Sequence, residues 1–128
     1  MTSTVHSVLV VDDDEGVRAL LRATLELNGF EVVGEASDGE DAVRCFEALD
    51  PPPSAVVLDE RMPSQSGLAT AEQILALRPN QVVVLFSAAL DAEVVSRALG
   101  VGVQQCVDKL EAGRLPRVLR VLLGSEES

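Results

Sequence analysis

Five short strand-like runs divide this chain at regular intervals, and each is followed by a pattern typical of an amphipathic helix. Runs of branched apolar residues without polar alternation indicate strands that are buried on both faces, as in parallel sheets. Strands that alternate with helices through short loops favour a parallel sheet covered on both sides. Right-handed crossovers then predict an α/β fold, a flavodoxin-like doubly wound (βα)5 domain whose five-stranded parallel sheet has the order 2-1-3-4-5.

Turn residues and apolar stripes delimit these elements. The predicted strands lie at 8–11, within 30–36, and at 55–58, 82–86 and 104–108. The predicted helices lie at about 15–28, from 37–39 to 49, at about 66–77, from Asp91 to a stop at Gly100 and Gly102, and over 115–122. At 128 residues the chain fits one domain. We expect a single domain over 1–128, with a core at about 6–123 and a flexible tail at 124–128.

The charge balance narrows the kinds of partner. Twenty-one acidic residues against ten basic ones give a formal net charge of -11, which opposes nonspecific binding to nucleic acids and to anionic membranes. The chain has neither a membrane-length apolar run nor the basic start of a signal peptide, so we expect a cytoplasmic protein that contacts other proteins. Its two cysteines, Cys45 and Cys106, are too few for a disulfide framework or a zinc site.

Polar residues stand at the ends of four of the predicted strands. Asp12 and Asp13 follow the first strand, Asp59 ends the third, Ser87 follows the fourth and Lys109 follows the fifth. In an open parallel sheet of this order, the carboxyl ends of the strands meet at one edge, where ligands bind. We therefore expect these five side chains to form one site.

The chemistry of such a site follows from its charges. Carboxylates held this close need a compensating cation, and hard oxygen ligands with room for water suit Mg²⁺. Asp59 can then act as a nucleophile toward phosphorus and form an acyl phosphate without a general base. Ser87 and Lys109 can donate hydrogen bonds to the phosphoryl oxygens.

At this point the chain resembles a known family, the response-regulator receiver domains of two-component signalling, in their single-domain form. The resemblance extends over essentially the whole chain, and its motifs occur in the family's order and at its usual spacings. The matching residues are Val10-Val11-Asp12-Asp13, Leu58-Asp59 with Met62-Pro63 and Gly67, Ser87-Ala88, and Lys109.

The resemblance implies a role for each matching residue. It implies that Asp59 is the phosphoacceptor. The implied Mg²⁺ ligands are Asp12, Asp13, Asp59 and the main-chain carbonyl of Arg61. The implied phosphate-binding and switch residues are Ser87, Ala88 and Lys109.

The same resemblance implies a phosphoacceptor signalling module rather than an enzyme, apart from its own phosphoryl transfer and dephosphorylation. The donor is expected to be a sensor histidine kinase or a phosphotransfer protein. Phosphorylation is expected to switch the surface of helix 4, strand 5 and helix 5, which would bind a downstream protein or a second copy of the chain. No direct contact with nucleic acid or membrane is expected.

Two residues depart from the family pattern. Leu110 stands where the family commonly has a proline, often with a cis bond, so we expect a trans peptide and a different loop into helix 5. Cys106 stands at the family's aromatic switch position on strand 5. A small thiol cannot swing between surface and interior as a ring does, so we expect altered coupling to Ser87.

Two alternatives remain open at the level of sequence. The first is a receiver-like protein-binding module that works without phosphate; the presence of every residue needed for the phosphoryl chemistry argues against it, but the departures at Cys106 and Leu110 keep it open. The second is a phosphatase of the haloacid-dehalogenase type, with Asp12 as nucleophile and Asp14 as acid/base, although that reading leaves Asp59 without a role.

Overall fold

The computed structural model describes residues 5–124. Five parallel strands form one sheet in the order β2-β1-β3-β4-β5, which confirms the predicted doubly wound fold. The strands are β1 (Ser7–Val11), β2 (Glu31–Ala36), β3 (Ala55–Leu58), β4 (Val82–Ser87) and β5 (Gln105–Asp108). The helices are α1 (Glu15–Leu27), α2 (Gly39–Ala48), α3 (Gly67–Leu77), α4 (Ala92–Val101) and α5 (Leu115–Leu122). A 3-10 turn, Lys109–Arg114, connects β5 to α5.

The sheet separates two apolar clusters, because alternate residues of each strand point to opposite faces. Leu9 and Leu58 point to the cluster that α2, α3 and α4 cover, whereas Val10 and Val57 point to the cluster beneath α1 and α5. The central strands β1 and β3 pair from Val8 with Ala55 to Val11 with Leu58. This register brings the residues that follow the two strands side by side.

Side-chain caps set the start of four helices. Asp14, Asp38, Ser66 and Asp91 each accept a hydrogen bond from the amide three residues further on. Such caps satisfy amides that the first helical turn leaves without partners. The starts of α1 to α4 were therefore predictable from sequence. Pro116 lies in the first turn of α5, where a missing amide hydrogen costs nothing.

The structure adjusts several predicted boundaries. Gly100 lies inside α4 and does not close it, while Gly102 ends the helix with a left-handed φ of 109°. Gln104 lies outside β5, where its side chain accepts a bond from Val83 N and donates one to the carbonyl of Gln81. Residues 125–128 of the predicted tail lie outside the described part of the chain. Within 5–124, no helix is both long enough and apolar enough to span a bilayer.

Candidate functional site

The carboxyl end of β1 places two aspartates in different environments. Asp12 is fully buried, and its Oδ1 accepts a 2.9 Å hydrogen bond from the amide of Asp14. Asp13, the next residue, is exposed. The amide of Asp12 donates to the carbonyl of Ala36, so the loop begins while still attached to β2. One carboxylate is therefore fixed in the interior and its neighbour faces solvent.

Asp59 ends β3 beside this pair and is 4% exposed. Its Oδ1 accepts a 2.8 Å bond from the amide of Glu60. The carbonyl of Glu60 accepts from Gly67 N, and its side-chain Oε1 accepts from Leu68 N, both at 2.9 Å. The start of α3 thus closes over the loop and passes so close to the carbonyl of Asp59 that a Cβ at Gly67 would collide with it.

Lys109 joins the two buried carboxylates. Its Nζ lies 2.8 Å from Oδ2 of Asp12 and 3.1 Å from Oδ2 of Asp59. The side chain of Lys109 is 22% exposed, so the ammonium lies at the boundary between the buried carboxylates and solvent. One cation is shared between two carboxylates, and Asp13 adds a third negative charge at the same edge.

The pKa shifts follow from burial and from this shared cation. Burial raises the pKa of the Asp12 carboxyl, and the contact with Lys109 only partly opposes that change. Burial by itself lowers the pKa of the Lys109 ammonium, but Asp12 and Asp59 together outweigh it and the pKa is raised. Both pKa values are raised because one ammonium is shared. Two carboxylates stabilise the positive charge of Lys109, whereas Asp12 shares that single positive charge with a second carboxylate.

Ser87 and the following loop form the opposite wall of an open cleft of about 220 Å³. Its lining residues are Asp13, Asp59, Arg61, Ser87, Ala88, Ala89 and Lys109. Ser87 is 1% exposed, and its Oγ accepts a 3.1 Å hydrogen bond from the amide of Ala89. The structure thus brings together the residues that the sequence placed at one edge, with Asp12 buried just beneath the cleft.

The residues at this edge fit a hard divalent cation. Carboxylate oxygens of Asp12, Asp13 and Asp59 lie within 4.8 Å of one another. Oδ2 of Asp12 is buried, and the Lys109 ammonium lies 2.8 Å from it. The same ammonium also serves Asp59, so one positive charge faces three carboxylates, and buried negative charge is costly unless a cation offsets it. This donor set suits Mg²⁺.

Asp14 is not part of the carboxylate cluster that Asp12, Asp13 and Asp59 form. Its Oδ1 accepts a 3.0 Å bond from the amide of Val17 and so caps α1. A carboxylate engaged as a helix cap is badly placed to act as the acid/base of a phosphatase. The geometry therefore disfavours the phosphatase alternative that the three successive aspartates had left open.

Two residues beside the site were missed by the sequence analysis. Arg18 donates a 2.6 Å hydrogen bond from Nη1 to the carbonyl of Asp12, and Glu60 holds the start of α3 as described above. The sequence did contain a signal for Arg18, which lies near the start of α1. A cation near the positive end of a helix is unfavourable unless it has a partner, so a contact of Arg18 could have been expected. No comparable pattern marks Glu60, whose contact depends on how α3 returns to the loop.

The two departures from the family pattern lie on β5 and just after it. The peptide bond from Lys109 to Leu110 is trans, as expected, and Leu110 is 93% exposed. Oδ1 of Asp108 accepts a 2.8 Å bond from the amide of Leu110, a donor that proline would lack. Cys106 is half-buried against the cluster beneath α2, α3 and α4, and burial raises the pKa of its thiol.

Comparisons with known proteins agree with this geometry. The pattern that defines the family "Response regulator receiver domain" matches residues 8–119. The chemotaxis protein CheY of Treponema pallidum is 36% identical over 104 residues, which are 81% of this chain and 72% of that protein. A protein-glutamate methylesterase/protein-glutamine glutaminase of Caulobacter vibrioides is 40% identical over 104 residues, 80% of this chain, but the match spans only 30% of the longer protein.

Solved structures show the same fold. CheY in the CheX-CheY-BeF3-Mg²⁺ complex from Borrelia burgdorferi superposes with a TM-score of 0.87 at 26% identity, over 91% of this chain and 88% of that one. The response regulator domain of Thermotoga maritima CheB gives 0.84 at 25% identity, over 97% and 100% of the two chains. Together with the family match over residues 8–119, these results show that the chain belongs to the response regulator receiver domains of two-component signalling.

Proposed function

We propose that this receiver domain accepts a phosphoryl group on Asp59 from a phosphohistidine of a sensor kinase or of a phosphotransfer protein. The observation that carries the proposal is the arrangement of three carboxylates within 4.8 Å of one another, with Lys109 bridging the two buried ones. Of the three, Asp59 is the one that both contacts Lys109 and lines the open cleft with Ser87.

The transfer requires no proton to leave the nucleophile. A carboxylate oxygen of Asp59 forms a bond to phosphorus while the bond between phosphorus and the histidine nitrogen breaks. The leaving nitrogen keeps the bonding electron pair, and a phosphohistidine whose other ring nitrogen carries a proton departs directly as neutral imidazole. The product is an acyl phosphate on Asp59, and hydrolysis later returns the carboxylate and inorganic phosphate.

Mg²⁺ would be held by the carboxylates of Asp12, Asp13 and Asp59 and by the main-chain carbonyl of Arg61. When bound, it would offset the negative charges of the carboxylates and of the incoming phosphoryl group. The Asp14 amide holds the Asp12 carboxylate through Oδ1, and Oδ2 contacts the Lys109 ammonium at 2.8 Å, so a bound Mg²⁺ would share this oxygen with Lys109. Asp12 and Asp59 raise the pKa of the Lys109 ammonium, which therefore stays protonated and offsets one of the two buried negative charges.

Ser87 and Lys109 would then bind the new phosphoryl oxygens. Oγ of Ser87 now accepts from Ala89 N, so its proton is available to an oxygen that enters the cleft. The modification adds about -1.5 to -2 charges and three strong acceptors, which would draw both side chains toward Asp59. Because Ser87 and Lys109 sit at the ends of β4 and β5, this movement would reach the surface of α4, β5 and α5 and bias its partner-binding form.

Intact mass tests the proposal directly. The protein is incubated with Mg²⁺ and acetyl phosphate, alongside Asp59→Asn, a chelator-treated sample, and Asp50→Asn, which removes an exposed aspartate outside the site. We expect one phosphoryl adduct in the wild type and in Asp50→Asn, and none in the other two samples. An adduct that persists in Asp59→Asn would refute the assignment of Asp59.

A wild type without an adduct would require one further measurement, because rapid hydrolysis also removes the signal. Beryllofluoride, a stable phosphoryl mimic, is then titrated with Mg²⁺ while the site is observed by NMR. Binding that depends on Asp59 would support the proposal. Absence of binding would leave the phosphate-independent module as the better reading, with Cys106 and Leu110 as its sequence signals.

A further inference from the structure

Arg18 connects the site to β2 through contacts that the proposed phosphoryl chemistry does not use. Its Nη1 donates a 2.6 Å hydrogen bond to the main-chain carbonyl of Asp12, and its Nε donates to Oε1 of Glu35 at 3.3 Å. The Arg18 side chain is 17% exposed, although it begins on the outer helix α1. One guanidinium therefore ties the loop after β1 to the end of β2.

Glu35 is itself held from a second direction. Its Oε2 accepts two bonds from Arg22, at 2.9 Å from Nε and 2.7 Å from Nη2. Arg22 lies one helical turn after Arg18 and also pairs with Glu26, but no described contact joins it to Asp12. Arg18 and Arg22 thus share the Glu35 carboxylate as an acceptor, and of the two only Arg18 also binds the Asp12 carbonyl.

We propose that Arg18 is a positioning residue for the acidic pair, holding the Asp12 carbonyl so that Asp12 and Asp13 stay in a metal-binding arrangement. The inference rests on the proposed function, because positioning matters only if the pair holds a cation. The amide of Asp12 donates to the carbonyl of Ala36 in the peptide plane before its Cα, and Arg18 binds its carbonyl in the plane after it, so both planes that flank Asp12 are held. Because the second plane also contains the amide nitrogen and Cα of Asp13, holding it restricts where the Asp13 side chain begins.

Charge alone does not account for this arrangement. Solvent-exposed ion pairs such as those of Arg22 contribute about 0–1 kcal/mol and are screened by salt. A cation close to the acidic pair would also compete with a metal ion for the same carboxylates. Arg18 avoids that competition, because its hydrogen bond goes to the carbonyl of Asp12 and its charge is offset by Glu35.

A lysine cannot replace this geometry. The planar guanidinium donates in several fixed directions at once, whereas a lysine ammonium is a point charge on a flexible stem. Arg18→Lys therefore keeps the charge and removes the fork, so any change in affinity reports on position. Arg22→Lys is the matched control, since it makes the same substitution on the same acceptor without touching the loop.

Calorimetric titration of the metal-free protein with Mg²⁺ measures the effect. We expect Arg18→Lys to weaken Mg²⁺ binding by about tenfold, the lower end of what residues that orient metal ligands contribute. Arg22→Lys should change it by less than about twofold, as expected for an exposed pair. Equal effects of the two substitutions would overturn the proposal.

Hydrogen exchange of residues 12–16 in metal-free protein gives a second readout that needs no ion. Faster exchange there in Arg18→Lys than in Arg22→Lys is expected, because the loop loses the hydrogen bond that holds the Asp12 carbonyl. Unchanged exchange would contradict the positioning role even if metal affinity fell. A wild type that binds no Mg²⁺ would instead refute the proposed function, and the exchange experiment would still decide whether Arg18 holds the loop.

Discussion

The Asp12 carboxylate is charged and buried, which lowers the free energy of unfolding when no metal ion is bound. Burial raises the pKa of its carboxyl above the ordinary value of 3.8 despite the contact with Lys109. Between 3.8 and the raised value the folded state binds more protons than the unfolded state. The free energy of unfolding therefore falls as pH rises through this window and stays lower above it.

Asp12→Asn should remove the loss of stability that the buried charge causes. We expect the variant to exceed the wild type in stability at pH 7 in chelator, by of the order of 1 kcal/mol. The difference should shrink as pH falls through the raised pKa of Asp12, because the protonated carboxyl is also neutral. Urea denaturation at several pH values measures it, and a variant that is less stable than the wild type at pH 7 would contradict this account of the buried charge.

Gly67 is a position where backbones approach closely. A Cβ there would collide with the carbonyl of Asp59, and the start of α3 cannot move without disturbing the loop. We expect Gly67→Ala to cost about 1–3 kcal/mol, the range for overpacked sites. Gly100→Ala is the control, since its Cβ would meet nothing within 4 Å inside α4 and should stabilise the helix by about 0.5–1 kcal/mol. Thermal unfolding compares the two variants.

Among the elements, the 3-10 turn after β5 determines how Lys109 leaves the sheet. Asp108 caps this turn through the amide of Leu110, and Glu111 pairs with Arg114 further along it. Lys109 is the first residue of the turn, so its backbone direction depends on that cap. A proline at residue 110 would remove the donor and also push Lys109 toward extended backbone angles.

A double-mutant cycle tests whether that cap stabilises the protein. Asp108→Ala removes the acceptor and Leu110→Pro removes the donor, so each should cost roughly 1 kcal/mol or more of stability. Their combination should cost less than the sum, because one hydrogen bond is lost in both. Leu110→Ala keeps the donor and alters only an exposed side chain, so it should be neutral. Additive losses would show that the cap contributes little.

For the whole molecule, a net charge of -11 means that the folded chain repels itself. We expect NaCl to raise the melting temperature by screening, and Mg²⁺ at the same ionic strength to raise it further by binding the folded state. Asp13→Asn should keep the salt effect and lose the Mg²⁺ increment. Glu72→Gln, an equal change of charge at an exposed position on α3, should keep both.

Loss of the Mg²⁺ increment in both variants would mean that the ion acts through general charge and not through the site. Retention of the increment in Asp13→Asn would show that Asp13 is not needed to hold it. Differential scanning calorimetry at matched ionic strength separates these outcomes. The comparison needs no phosphodonor and so tests the metal site independently of phosphoryl transfer.

The order of elements was predictable because it depends on local patterns. The signals that mark an element act within a few positions of each other: an apolar run as long as a buried strand, a capping residue such as Asp91, or a helix stop such as Gly102. The parallel topology then follows from short right-handed connections. The same reasoning correctly gathered Asp59, Ser87 and Lys109 at one edge, because each directly follows or ends a strand. Their chemical roles stay predictions.

Contacts between distant side chains could not be derived in this way. Three features depend on how the helices pack against the sheet. They are the full burial of Asp12, its ion pair with Lys109 and the ion pair between Arg18 and Glu35. The sequence by itself determined the strands, their order and the residues at the carboxyl edge, because periodicity and capping are local. Only the tertiary structure decided which charges are buried and what holds them, because the free energy of a buried charge depends on every neighbour that packing brings to it.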